Sequence, residues 1–260
     1  MGIIAMMISL TVLGLLYKRM IARDFPEPIG KKQALIQVLL GAVAVPLSLV
    51  FTYGFEALQE TFEYTTENQS LMAQSILSGF FTAGLTEELA KFMMIAAAFK
   101  IFRSTVKNVY EYILIGAAVG FGFTLIEELI YLFNPTGLSF RMIVIAGHLV
   151  YGIIMAYFLG MAKYKKITHQ CSPTKEYILA FFLPILIHTL YDACTGCNAL
   201  LDHEDEDIQW IGLGIGLAGI LAAFVFQIMI LLKFKKNAQK LCSMRLYSDK
   251  LFVHHSSRCR

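Results

Sequence analysis

Acids, imidazoles and a lysine stand inside stretches of this chain that are otherwise apolar: Glu87, Glu88 and Lys91; Glu127 and Glu128; His148; His188 and Asp192. An ionised side chain at mid-bilayer costs roughly 2.5–3.5 kcal/mol, so such residues persist where they pair, line a polar cavity or do chemistry. Lys91 is one helical turn from both Glu87 and Glu88. An ion pair accounts for one of those glutamates, not two. One can stay paired with the lysine while the other serves as a general base. Asp192 is one turn from His188, where a carboxylate can fix the imidazole tautomer. It could instead be a direct metal ligand, and His148 supplies the second imidazole that a zinc site would want. His148, His188 and Asp192 are therefore candidate ligands for one zinc ion, and metal-free carboxylate–imidazole chemistry stays open beside that.

Absences narrow the class. There is no HExxH, the usual helix-borne zinc protease signature, and no GxSG serine motif, because Ile76 stands where the first glycine should precede Ser78–Gly79. Asp192 is the sole aspartate in any apolar stretch, so an aspartyl dyad cannot form within one chain.

The elements that must carry these residues follow from composition. Of 260 residues, 57% are hydrophobic and 16% charged, too apolar for an ordinary soluble domain. About seven stretches are long enough to cross roughly 30 Å of hydrocarbon, near 2–17, 33–54, 71–99, 110–133, 142–162, 177–198 and 209–232. The expected fold is an all-α polytopic membrane bundle, a single membrane domain over 1–260. Its catalytic core is the four helices of 71–198, and 233–260 forms a basic tail. All but Lys91 and Arg141 of the 22 Lys and Arg residues fall on one set of loops and the tail. The other loops hold Glu56, Glu60, Glu63, Glu67 and Asp202 to Asp207. That asymmetry predicts an amino terminus outside and a cytoplasmic carboxyl tail. The first stretch carries its basic residues after the apolar run, as an uncleaved anchor does and a signal peptide does not. The lipid bilayer is a partner; the charge serves topology and leaves no nucleic-acid footprint.

At 100° per residue, Gly116, Gly120, Phe123 and Glu127 share one helix face, and His148, Gly152, Ala156 and Gly160 make a similar stripe. Glycine faces are where membrane helices approach closely, so Glu127 is expected to look inward; Glu128 is left undecided. Gly212, Gly216 and Gly219 suit close packing of the last span. Cys194 and Cys197 form a CxxC that a disulfide could lock, or an incidental apolar pair.

These motifs together resemble the PrsW family of membrane proteases, related to the CAAX-prenyl-endopeptidase and bacteriocin-processing group. An EExxK motif is matched by Glu87-Glu88-Leu89-Ala90-Lys91, FxxxE by Phe123-Thr124-Leu125-Ile126-Glu127, and HxxxD by His188-Thr189-Leu190-Tyr191-Asp192. Arg141 and His148 resemble the arginine and histidine of the span before the last motif. The resemblance covers roughly 75–198; Glu128 departs from the asparagine common at that place. It implies peptide-bond hydrolysis near the outer membrane face by Glu87, Glu88, Glu127, His148, His188 and Asp192, supported by Lys91 and Phe123. It also implies a bacterial plasma membrane and a membrane-anchored, anti-sigma-factor-like substrate in stress signalling. Three rivals remain: bacteriocin processing or self-immunity by the same kind of protease, a catalytically inactive relative that only shelters a partner, and a non-catalytic proton- or ion-coupled transporter or binding protein.

Overall fold

The computed structural model describes residues 2–61, 69–133, 144–168, 172–196 and 198–246. Arg141, Cys197 and the tail beyond 246 lie outside them. The described residues form helices joined by turns and short loops, with no strand among them beyond an isolated antiparallel bridge between Asn108 and Arg245. The helices are α1 (Gly2–Ile21), α2 (Lys31–Thr61), α3 (Leu71–Gly79), α4 (Leu85–Ile101), α5 (Val109–Phe133), α6 (Gly147–Thr168), α7 (Thr174–Thr195), the short α8 (Asn198–Leu201) and α9 (Glu206–Ser243). Helix falls on every expected stretch. Among the described residues, four helices are long and apolar enough, by length and composition, to cross a membrane: α2, α5, α7 and α9. The chain is a multi-pass membrane protein.

Helix α5 is apolar all round, as a central helix must be, with Ile113, Leu114, Ile115, Ala117, Ala118 and Val119 fully buried. Its glycines set the packing. A Cβ on Gly116 would overlap the Gly152 carbonyl, and one on Gly120 the His148 carbonyl, so the two small-residue stripes expected from the sequence meet face to face. On the opposite side Gly122 admits the Val38 carbonyl of α2. In α9, Gly212 and Gly219 pack against Leu200 and Cys194, while Leu221 and Met229 point away from the protein.

Two boundaries differ from the sequence reading. The stretch 71–99 is not one regular helix: α3 and α4 are joined by a π-helical turn, Phe80–Gly84. Such turns insert one residue and re-aim all that follow. Here Gly79 and Gly84 abut Thr189 and its neighbours on α7, and the acidic pair begins within one turn of the break. Helix α6 begins at Gly147, after a short turn from Val144, so His148 sits at a helix start instead of one turn or more inside it.

Candidate active site

Lys91 is the hub. Its ammonium, fully buried, donates to Glu87 Oε2 at 3.1 Å, to Glu88 Oε1 at 2.8 Å and to His148 Nδ1 at 2.9 Å. It also lies 3.9 Å from the centroid of the Phe123 ring, a cation–π contact. The phenylalanine of the second motif thus touches the lysine of the first. The i,i+3 and i,i+4 spacing on α4 brings both glutamates to one cation, and the close packing of α5 on α6 brings His148 to the same point.

Each imidazole is held from behind. His148 Nε2 is 2.7 Å from Glu127 Oε2, and His188 Nδ1 is 2.8 Å from Glu88 Oε1. The two rings meet edge to face, 5.2 Å apart. Asp192 Oδ2 pairs with His188 Nε2 at 3.2 Å, while Glu88 Oε2 has no hydrogen-bond partner among the described residues. Glu87, Glu127, Glu128, His148, His188 and Asp192 all line one cavity of about 590 Å³, with Thr82, Thr124, Tyr151, Tyr191, Thr195 and Gln227 in its wall. Glu88 and Lys91 lie just behind that wall, fully buried. All the sequence-predicted site residues converge on this cavity. Glu128, undecided on the helical wheel, is 3% exposed and faces it alongside Glu127.

The donors fit a divalent cation. Glu87, His148 and His188 each offer an atom within 4.8 Å of the others: Glu87 Oε2 is 3.8 Å from His148 Nδ1 and 4.0 Å from His188 Nε2. Two imidazoles and a carboxylate are a common zinc donor set. Moreover, each ring's other nitrogen meets a carboxylate, as metal-binding histidines usually require. The group has Glu87 in the place that the sequence reading gave to Asp192, which stands beside His188 instead. Lys91, 2.9 Å from His148 Nδ1, would have to yield that nitrogen to an ion.

A family model for the PrsW family intramembrane metalloprotease matches residues 30–232. The chain belongs to the PrsW family. It is 33% identical over 159 residues to the protease PrsW of Halalkalibacterium halodurans, covering 60% of this chain and 66% of that protein. The protease PrsW of Oceanobacillus iheyensis is 31% identical over 134 residues, 50% of this chain and 60% of that protein. That of Bacillus subtilis is 24% identical over 161 residues, 60% and 69% respectively. The matches thus cover about two thirds of the PrsW proteins. No solved structure matches the chain.

Sequence reasoning missed two features of this PrsW site. It took Lys91 as a local ion-pair partner; its contact with His148, 57 positions away, needs the packing of α4 against α6. Tyr151 carried no signal except its place one turn after His148.

Proposed function

We propose that this PrsW-family protein is an endopeptidase that hydrolyses a membrane-anchored protein, with its acidic loops outside the cell and its basic tail in the cytoplasm. The supporting observation is the convergence of Glu87, His148 and His188, with atoms within 4.8 Å of one another, on a cavity of about 590 Å³. In this reading Glu87 is the general base. All its described contacts use Oε2, which leaves Oε1 to take the proton of a water molecule. The water oxygen adds to the scissile carbonyl carbon, the carbonyl electron pair moves to its oxygen, and the proton held by Glu87 passes to the departing amine. Lys91 keeps Glu88 ionised and His148 in register; Glu88 and Glu127 fix the two rings, and Asp192 supports His188. A divalent cation held by Glu87, His148 and His188 would supply Lewis acidity at the same place.

The substrate we favour is an anti-sigma factor with one transmembrane segment, cut on its outer side as the first step in releasing a sigma factor during a stress response. Purified chain in proteoliposomes should shorten a tagged anti-sigma factor from the same genome at a bond outside the membrane; a substrate left intact would exclude that assignment. Metal analysis of the same preparation should find about one zinc per chain, lost in a His148→Ala, His188→Ala double mutant. An active preparation without metal would assign the reaction to carboxylates and imidazoles alone.

A further inference from the structure

Tyr151 has no place in the chemistry above, yet it lies in the wall of the same cavity. The residue is 3% exposed. Its ring packs on His188 at 4.9 Å between centroids and meets His148 at 6.0 Å. Buried tyrosine hydroxyls ordinarily find a hydrogen-bond partner. This one makes none with a described residue, and opens on the cavity instead.

The surroundings explain what could meet it. Tyr151 is one turn into α6, so its hydroxyl and the first turn of that helix front the same space. Gly147 borders the same corner: a Cβ there would stand in ordinary contact, 3.7 Å from the Tyr151 hydroxyl and 3.6 Å from Gln227 Nε2. Gln227 is itself buried and donates to the Val144 carbonyl at 3.1 Å. The nearby charges that bear on Tyr151 are the carboxylates of Asp192, Glu88 and Glu87, and a hydroxyl among carboxylates serves as donor. The first amides of a helix favour negative charge as well.

We infer that the Tyr151 hydroxyl is a catalytic hydrogen-bond donor to the oxyanion that forms when water adds to the scissile carbonyl. This rests on the protease reading. The tyrosine keeps its proton throughout: it donates a hydrogen bond to the oxygen that gains the carbonyl electron pair, and loses that partner when the carbon–nitrogen bond breaks and the carbonyl re-forms. Such a donor acts mainly in the transition state.

The test compares wild type with Tyr151→Phe on a peptide that wild type cleaves. It adds direct binding of the phosphinic analogue of that peptide, whose tetrahedral P–O⁻ resembles the oxyanion. The expected result is a fall in kcat of about 100-fold, the usual scale for removing one oxyanion donor. KM should stay within about threefold. Phosphinic binding should weaken by a similar factor to kcat, while the cleaved product peptide binds as before. Thermal unfolding of the variant, which keeps the ring, checks that the fold survives. Unchanged kcat and phosphinic binding in Tyr151→Phe would overturn the role and leave the protease reading intact. Equal weakening of phosphinic and product peptides would overturn it too, because the hydroxyl would then bind ground state and transition state alike. A wild-type chain that cleaves nothing would remove the reaction and this role together.

Discussion

Two clusters of buried acids can be compared among the described residues, one at the wall of the cavity and one at the start of α5. Around Lys91, carboxylates and imidazoles pair with one another at the wall of a cavity of about 590 Å³, His148 with Glu127 at 2.7 Å and His188 with Glu88 at 2.8 Å. Around Asn108, at the start of α5, Glu111 is tied down by hydrogen bonds. Glu111 accepts from the Lys107 amide at 2.9 Å and from Asn108 Nδ2 at 2.9 Å, while its own amide donates to Asn108 Oδ1 at 3.0 Å. That is a capping-box arrangement, an N-cap residue and an acid three positions later satisfying each other's turn. Beside it the Leu246 amide donates to the Lys107 carbonyl and the Val109 amide to the Met244 carbonyl, so the end of α9 is stapled to the start of α5. Glu111 and Glu88 are comparably buried, 3% and 0% exposed. Burial of an acid therefore does not mark the working site. Convergent donors and open volume do.

If the Lys91 cluster is the strained and functional one, its cation should matter most. Lys91→Met leaves Glu88 buried with no cation, a loss of about 3–5 kcal/mol, and it should abolish cleavage even where folded protein is recovered. Thermal unfolding in detergent together with a cleavage assay measures both. A variant that unfolds and cleaves like wild type would erase the contrast between the clusters.

Glu111→Ala probes the other side. It strips the cap from α5 and should lower stability by about 1–3 kcal/mol, while the cleavage rate of the folded fraction stays within about twofold of wild type. A large selective loss of rate would move Glu111 into the functional class.

The smallest effect concerns Asp24, in the loop after α1 and beside the Asn108 cluster. Burial raises its pKa above the ordinary 3.8, against hydrogen bonds from Asn108 and the Ile29 backbone and the charges of Lys107 and Arg245. A carboxyl with a raised pKa in the fold holds its proton longer folded than unfolded. Its contribution to stability is therefore full below the unfolded value and is lost as pH rises through the folded value. Asp24→Asn should remove that falling limb from a plot of unfolding temperature against pH, and be at least as stable as wild type at pH 7. A variant less stable than wild type at pH 7 would show that the ionised form is held favourably.

Much of this was legible from residue types and spacing. Glu87, Glu88 and Lys91 pair because three and four residues make one turn, and the glycine stripes of α5 and α6 meet because nothing larger fits between them. Other features depend on how helices turn against one another, which a helical wheel does not give. The π-turn at Phe80–Gly84 changes the phase of α4 relative to α3. Which carboxylate joins the two histidines, Glu87 or Asp192, depends on that phase. Glu128 was undecided for the same reason, because its direction follows from the rotation of α5 between α2 and α6. The cap at Asn108 and Glu111 is different: its N-x-x-E signature stands in the sequence, at the start of the stretch 110–133.

The most direct measurement is cleavage of one membrane-anchored substrate, in the same proteoliposomes, by wild type, Glu87→Gln and Glu111→Gln. The glutamine at 87 keeps the shape of the side chain and removes its ability to take a proton. The account predicts that wild type and Glu111→Gln cleave at comparable rates, and that Glu87→Gln falls by at least about 1000-fold, on the scale of lost acid–base catalysis, while remaining folded. Cleavage by Glu87→Gln at the wild-type rate would contradict it.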